Sequence, residues 1–171
     1  MYDIECLAVD VLTEIAQADS DVELMKIARR EWAVGNELLA VKSAYKAAMR
    51  GYTEAQTLLG EAYELGTGVE KDDEEAVRWY TKAAIQMDLK ALSCLAVYYY
   101  FGTVVKKDEA LAEAMLLISS KRKQSKQYLR KWYNVNVNEN SSYCYHNSLE
   151  EAYQRIERFR EKMRRQKVNN G

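Results

Sequence analysis

The chain has 171 residues, which is long enough for one domain with a continuous hydrophobic core. It contains no proline, and no apolar run approaches the roughly 18 residues of a membrane span, so we expect no membrane association. The net charge of −1 conceals an uneven distribution, because residues 1–75 hold 17 acidic and 7 basic side chains whereas residues 76–171 hold 9 acidic and 18 basic.

The N-terminal segment predicts one helix over residues 3–18. Ile4, Leu7, Val11 and Ile15 recur there at helical spacing and form one apolar face. The first five residues are acidic where a secretory signal is basic and then apolar, so we predict a cytoplasmic protein. Three widely spaced cysteines agree with that expectation, because an odd number favours reduced thiols.

Residues 20–50 predict the first pair of helices. Ser20 and Glu23 form a capping box that opens a helix over residues 21–33, and a second helix follows over residues 36–50. Leu24 and its apolar neighbours align with the next pair at an offset of 34 residues. We therefore interpret residues 20–50 as a degenerate repeat.

Residues 51–86 and 87–119 are two copies of one repeat. With a shift of 36 residues, 13 of 33 aligned positions are identical, where ordinary residue frequencies give about two. A fixed period of this length is typical of stacked helical pairs. In the first copy the helices are predicted over residues 52–65 and 73–86.

Small residues and caps shape the first copy. Gly60 is small because a neighbouring helix must approach closely, and Gly66 fits a left-handed helix cap. Either Asp72 or Asp73 can cap the second helix. The second copy keeps a glycine at the cap position but replaces Gly68 by valine, which predicts a different turn geometry.

The repeated motif resembles the Sel1-like repeat, a relative of the tetratricopeptide repeat. The residues that carry the resemblance are Ala55, Leu59, Gly60, Tyr63, Gly66, Thr67, Gly68, Val69, Lys71, Asp72, Ala76, Trp79, Tyr80, Lys82, Ala83 and Ala84. The resemblance implies an all-α fold, an α/α solenoid of about four helical pairs plus an N-terminal helix. It also implies one domain over residues 1–171, whose concave face is lined by the first helix of each pair.

The C-terminal third, residues 120–171, is predicted to be a degenerate capping repeat. A helix over residues 120–133 precedes an Asn/Ser-rich loop over residues 134–147. Ser148 and Glu151 then form a second capping box, which predicts a charged last helix over residues 148–167.

The sequence favours a non-enzymatic protein with no cofactor and no metal. It has a single histidine, His146, so neither a catalytic triad nor a multi-histidine metal site can be built. Cys144 and His146 lack a second pair of ligands. Although some Sel1-like relatives have been credited with hydrolase activity, no residues here would carry it.

The outward positions of the repeat helices are the predicted partner-binding surface. They are Glu54, Thr57, Glu61 and Glu64 in the first full copy and Lys90, Ser93, Val97 and Tyr100 in the second. Val97, Tyr100 and Ile27 are expected to be exposed anchors, and the acids are expected to steer a basic partner. The resemblance implies a protein-interaction module, either an adaptor or an inhibitor such as an immunity partner of a bacterial toxin or secretion component.

The alternative function is nucleic-acid binding by the basic C-terminal third. Its first basic set, residues 121–133, alternates lysine and arginine with aromatic residues, as in proteins that bind phosphates and stack bases. A second set comprises Arg155, Arg158, Arg160, Lys162, Arg164, Arg165 and Lys167. Interleaved glutamates dilute the second set, which favours a solvated helix or a docking site for an acidic protein.

Overall fold

The computed structural model of the protein describes residues 4–119 and 145–169. These residues form eight helices and contain no strand, which confirms the predicted all-α helical-repeat class. The helices are α1 (Ile4–Gln17), α2 (Asp21–Ala33), α3 (Glu37–Met49), α4 (Thr53–Leu65), α5 (Asp73–Ile85), α6 (Leu89–Phe101), α7 (Glu109–Ser119) and α8 (Tyr145–Asn169).

The chain divides into two compact units, residues 1–82 (unit 1) and residues 83–171 (unit 2). The division falls within α5. The single domain expected from the sequence stays a prediction.

The core of unit 1 is formed where α2, α3 and α4 pack in sequence. Leu24, Met25 and Ala28 on α2 are buried, as the helical spacing predicted. The buried face of α3 is rich in alanine, which lets neighbouring helices approach closely. Lys46 on the same helix donates from Nζ to the carbonyl oxygens of Ile15 at 2.7 Å and Ala16 at 2.9 Å, and so caps the C-terminus of α1.

Two predicted helix caps of unit 1 are confirmed. The Ser20 side chain accepts a hydrogen bond from the Glu23 amide at 3.2 Å at the start of α2. Asp72 Oδ1 accepts from the amides of Glu74 and Glu75, at 2.9 and 3.0 Å, at the start of α5. These side chains satisfy amides that have no partner within the helix.

Glycines in unit 1 allow one close helix contact and one left-handed cap. A Cβ atom on Gly60 would lie 2.5 Å from the Tyr80 ring, so the predicted need for a small residue is confirmed. Gly66 ends α4 with φ of 72°, in the left-handed region that glycine adopts at little cost.

Unit 2 is built on α7, which packs against both α6 and α8. Ile156 and Phe159 of α8 are buried, and Phe159 meets Tyr99 of α6 edge to face with ring centroids 6.0 Å apart. Arg160 Nε donates to the Ile85 carbonyl oxygen at 2.7 Å and caps the end of α5.

The start of the last helix corrects one prediction. The helix begins at Tyr145, so residues 145–147 are helical rather than part of the loop, and Ser148 lies inside the helix instead of capping it. No glycine or proline precedes Ser148 in this stretch, so nothing in the backbone chemistry stops the helix there. The predicted helix over residues 120–133 and the loop over residues 134–144 lie outside the described residues.

Candidate functional site

Four of the predicted partner-binding residues lie in unit 1 and four lie in unit 2. In unit 1 they lie on α4. Glu54 is exposed and forms an ion pair with the exposed Arg29 of α2. Exposed pairs of this kind contribute little to stability, so the Glu54 carboxylate stays accessible to a partner.

Thr57 does not face solvent, contrary to expectation. It is buried, with 5% of its surface exposed, and its hydroxyl donates to the Thr53 carbonyl oxygen of its own helix at 3.2 Å. Glu61, one turn further along, is half-buried. The acidic face of α4 is therefore more enclosed than the sequence indicated.

Glu64 is held by a contact that crosses between helices. The Tyr80 hydroxyl of α5 donates to Glu64 Oε2 at 2.7 Å. Burial raises the pKa of Glu64, the Tyr80 hydrogen bond opposes that rise, and the charges of Glu61 and Asp73 add to it. Glu64 is thus a structural acceptor for Tyr80 as well as a surface acid.

In unit 2 the predicted residues lie on α6, and only its two ends are open to solvent. Lys90 at the start and Tyr100 near the end are exposed. Ser93 is buried and its hydroxyl donates to the Leu89 carbonyl oxygen at 2.9 Å, which repeats the arrangement of Thr57. Val97 is also buried, with 8% of its surface exposed.

The expected exposure was therefore wrong for Thr57, Ser93, Val97 and Ile27, the last of which belongs to the core of unit 1. On α6 every residue from 91 to 98 is buried. A helix that is apolar around its whole circumference is typically enclosed by protein, and this composition was visible in the sequence. Helical spacing alone identified a face but did not show how much of the helix its neighbours cover.

Among the described residues of unit 2, the most exposed aromatic side chains are the adjacent Tyr100 and Phe101, called here the aromatic pair. The ring centroids lie 5.2 Å apart with an interplanar angle of 84°. Tyr100 is 38% exposed and Phe101 is 52% exposed. Tyr100 was predicted from the sequence to be exposed and Phe101 was not, although both belong to the aromatic run of residues 98–101.

The second basic set lies on α8, where two of its arginines pair with acids of the same helix. Arg160 pairs with Glu157, and Arg165 Nη2 lies 3.9 Å from Glu161 Oε2. The first basic set, residues 121–133, lies outside the described residues. Nucleic-acid binding by this third of the chain stays a prediction.

Residues 4–119 and 145–169 contain no group of three His, Cys, Asp or Glu side chains placed to hold a metal ion. Within the same ranges, no helix combines the length and the apolar character needed to cross a membrane. Cys94 is fully buried in unit 2.

Comparison with known proteins identifies the repeats. A family model described as the Sel1 repeat matches residues 53–86 and 90–124. The crystal structure of a Sel1 repeat protein from Oxalobacter formigenes is similar, with 27% sequence identity and a TM-score of 0.58, and the match covers 73% of this chain and 98% of that chain.

A second solved structure is a protective antigen present in uropathogenic Escherichia coli strains, which displays an SLR fold. It shares 25% identity with a TM-score of 0.58, and the match covers 92% of this chain and 33% of that longer chain. No match was found among curated proteins.

Proposed function

The chain is a Sel1-like repeat protein, and from that premise we propose that it is a protein-interaction module that acts as an adaptor or as an inhibitor of the immunity type. Sel1 repeats generally mediate protein–protein interaction. The observation that carries the proposal for this chain is the aromatic pair, Tyr100 and Phe101, at the end of α6.

Aromatic side chains at such a position suit the centre of an interface. They bring a large contact area and lose little conformational entropy on binding, which is why aromatic residues are enriched among binding hot spots. In the unbound protein the two rings expose apolar surface to water. A partner that covers them gains the free energy of removing that surface from water.

The acids of α4 supply the second part of the proposal, which is the charge of the partner. Glu54 is exposed, Glu61 and Glu64 are half-buried, and the first 75 residues carry an excess of acid. A basic protein, such as a toxin or a secretion component, would be steered toward this face. We propose that steering sets the association rate and that the aromatic pair sets the dissociation rate.

Binding by the purified chain tests the role of the aromatic pair. Proteins retained from a lysate of the source organism would be identified, and their affinity for wild-type chain and for Tyr100→Ala with Phe101→Ala would be measured. We expect the variant to raise the Kd by about 5- to 150-fold, or about 1–3 kcal/mol, mainly through faster dissociation.

Tyr45→Ala is the matched control, because Tyr45 is a similarly exposed tyrosine, on α3 of unit 1. It should leave the Kd unchanged. Equal binding by the wild type and the aromatic-pair variant would contradict the proposed site.

The steering role is tested separately by removing charge. Glu54→Gln with Glu61→Gln should slow association and flatten its dependence on salt while leaving dissociation unchanged. The matched control is Glu70→Gln with Glu74→Gln, which removes two exposed acids of unit 1 that lie outside α4. If both double variants slow association equally, the association rate depends on the overall negative charge of residues 1–75 and not on the acids of α4.

A further inference from the structure

A groove of about 720 Å³ lies in unit 2, and none of the predicted partner-binding residues lines it. One wall is the segment that joins α6 to α7, together with the start of α7, and the other is the middle of α8, residues 155–163. Its volume corresponds to a small ligand or to a few side chains of a peptide.

Basic side chains dominate the rim of the groove. Those that line it are Lys106, Lys107, Arg155, Arg158 and Lys162. Lys107 forms an ion pair with Glu109, with 2.6 Å between Nζ and Oε1. Among the described residues, no ion pair involves Lys106, Arg155 or Lys162.

Among the described residues that line the groove, Asp108 is the one acid, and its side chain caps the start of α7. Asp108 Oδ1 accepts a hydrogen bond from the Leu111 amide at 2.9 Å and so caps α7. The Asp108 amide donates to the Tyr99 carbonyl oxygen, also at 2.9 Å. The cations of the rim are therefore not neutralised from within the groove, and their field favours a negatively charged occupant.

Apolar side chains form the rest of the lining. They include Tyr99, Val105, Leu111, Phe159 and Met163. Phe159 is only 5% exposed and meets Tyr99 edge to face. Phe159 is buried and its ring meets the half-buried Tyr99, so the pair offers little open ring face on which a nucleic-acid base could stack, whereas an aliphatic side chain can pack beside it.

The helix that carries three of the cations is fixed in place. Arg160 donates to the Ile85 carbonyl oxygen at 2.7 Å and pairs with Glu157, so its charge serves the contact between α8 and the end of α5. Arg155, Arg158 and Lys162 follow one face of α8 at spacings of three and four residues. The cations are thus presented in a row on a preformed surface.

We propose that this groove binds an acidic peptide segment of a protein partner, with carboxylates on the cationic rim and an apolar side chain beside Tyr99 and Phe159. The inference rests on the proposed function, because the occupant is part of a protein. It adds a second binding surface, opposite in charge to the acidic face of α4.

A defined peptide tests the groove directly. The probe is a short fluorescein-labelled peptide rich in glutamate with a central pair of leucines, and its binding to the full chain is measured by fluorescence anisotropy. Arg155→Glu with Lys162→Glu should weaken binding by about tenfold or more, since like charges would then face the peptide. A peptide with serine in place of the leucines should also bind more weakly to the wild type.

The matched control reverses two charges on the same helix outside the groove. Arg164→Glu with Arg165→Glu changes the net charge by the same amount, and these residues do not line the groove. Peptide affinity should fall much less than in the groove variant, because neither side chain lines the groove. Equal loss in both variants would overturn the proposal, because the peptide would then sense only the general charge of α8.

Two further results would overturn it. A single-stranded RNA oligonucleotide that binds while the peptide does not would assign the groove to nucleic acid. Concentration-dependent self-association that the groove variant abolishes, without peptide binding, would make a second copy of the chain the occupant.

The two proposals fail separately. If the groove variant loses peptide binding and the aromatic-pair variant keeps it, the groove is supported as the peptide site. This result does not depend on whether the natural partner contacts Tyr100. A partner that depends on the aromatic pair, with no peptide binding at all, leaves the proposed function standing and removes this inference.

Discussion

The two full repeats end their first helices in the same way, but the backbone conformation of the turn that follows differs between them. Gly66 and Gly102 are both left-handed caps, with φ of 72° and 69°, and each amide donates to the carbonyl oxygen four residues earlier at 2.8 Å. Gly68 then adopts a positive φ of 71°, whereas its counterpart Val104 does not. The cap is thus common to both repeats, and the residue two positions later is adapted to its own surroundings.

The helices show a second difference, in which several residues have changed together. In the first repeat the Tyr80 ring lies against Gly60 and its hydroxyl donates to Glu64. The second repeat has alanine, leucine and Tyr100 at the equivalent positions. The second repeat has no tyrosine that needs an acceptor, so the position equivalent to Glu64 does not have to carry an acid. The exposed Tyr100, one of the proposed binding residues, occupies that position.

The largest expected effect comes from giving the first turn the residue of the second. In Gly68→Val, the new Cβ atom would lie 2.5 Å from the Glu37 carbonyl oxygen, and valine would have to adopt a positive φ. Backbone strain and steric overlap together should lower the free energy of unfolding by about 3 kcal/mol or more. Urea unfolding would measure the loss.

The reverse exchange, Val104→Gly, is the control for that variant. Val104 is not in the left-handed region, so glycine should cost only about 0.5–1 kcal/mol through chain entropy. Similar losses in both variants would show that the two turns do not differ as described.

The next effect concerns the contact between Gly60 and Tyr80. Gly60→Ala should lower the free energy of unfolding by about 1–3 kcal/mol, because its methyl group would meet the Tyr80 ring at 2.5 Å. Combining it with Tyr80→Leu, as in the second repeat, should recover part of that loss. A double-mutant cycle would measure the coupling, expected at about 0.5–3 kcal/mol in favour of the double variant. Simple additivity of the two changes would contradict the proposed covariation.

A third change should raise stability. Met87, which follows α5, has φ of 65°, and among the described residues no other non-glycine residue has a positive φ. The equivalent position in the first repeat is Gly51, with φ of 97°. Met87→Gly should raise the free energy of unfolding by about 0.5–1 kcal/mol, because the left-handed strain of methionine is larger than the added entropy of glycine in the unfolded chain. The change would appear as a higher Tm, and Gly51→Ala should lower it.

Local signals account for what the sequence predicted well. The capping role of Ser20, the left-handed cap at Gly66 and the helix bounds each depend on a few neighbouring residues, and the repeat shows the same signals twice. Tight packing at Gly60 was also predictable, although its contact with Tyr80 was not, because 20 residues separate them.

What could not be predicted depends on residues far apart in the chain. Thr57 and Ser93 look polar and outward-facing, yet the packing of other parts of the chain buries them, and each hydroxyl is satisfied by a carbonyl oxygen of its own helix. The groove joins Lys107 to Arg155 across a long separation, so neither residue indicates it alone. Helical periodicity assigns a face, but only the packing of the other elements decides whether that face meets water.

The smallest expected effect is a pH dependence caused by Glu64, which has no acidic counterpart in the second repeat. Burial raises the pKa of Glu64 above its ordinary value of 4.5. The folded chain therefore binds this proton more readily than the unfolded chain, and the stability that Glu64 contributes is lost as the pH rises from 4.5 through the raised pKa. Glu64→Gln lacks this loss and keeps an oxygen that can accept from the Tyr80 hydroxyl. Unfolding free energies measured from about pH 4 to pH 7, across the titration range of a glutamate with a raised pKa, should thus move in favour of the variant as the pH rises.

Tyr80→Phe serves as the control, because removing the hydrogen bond that stabilises the carboxylate should raise the pKa of Glu64 further and extend the loss to higher pH. Parallel curves for wild type and Glu64→Gln across the whole range would show that burial does not perturb this carboxyl.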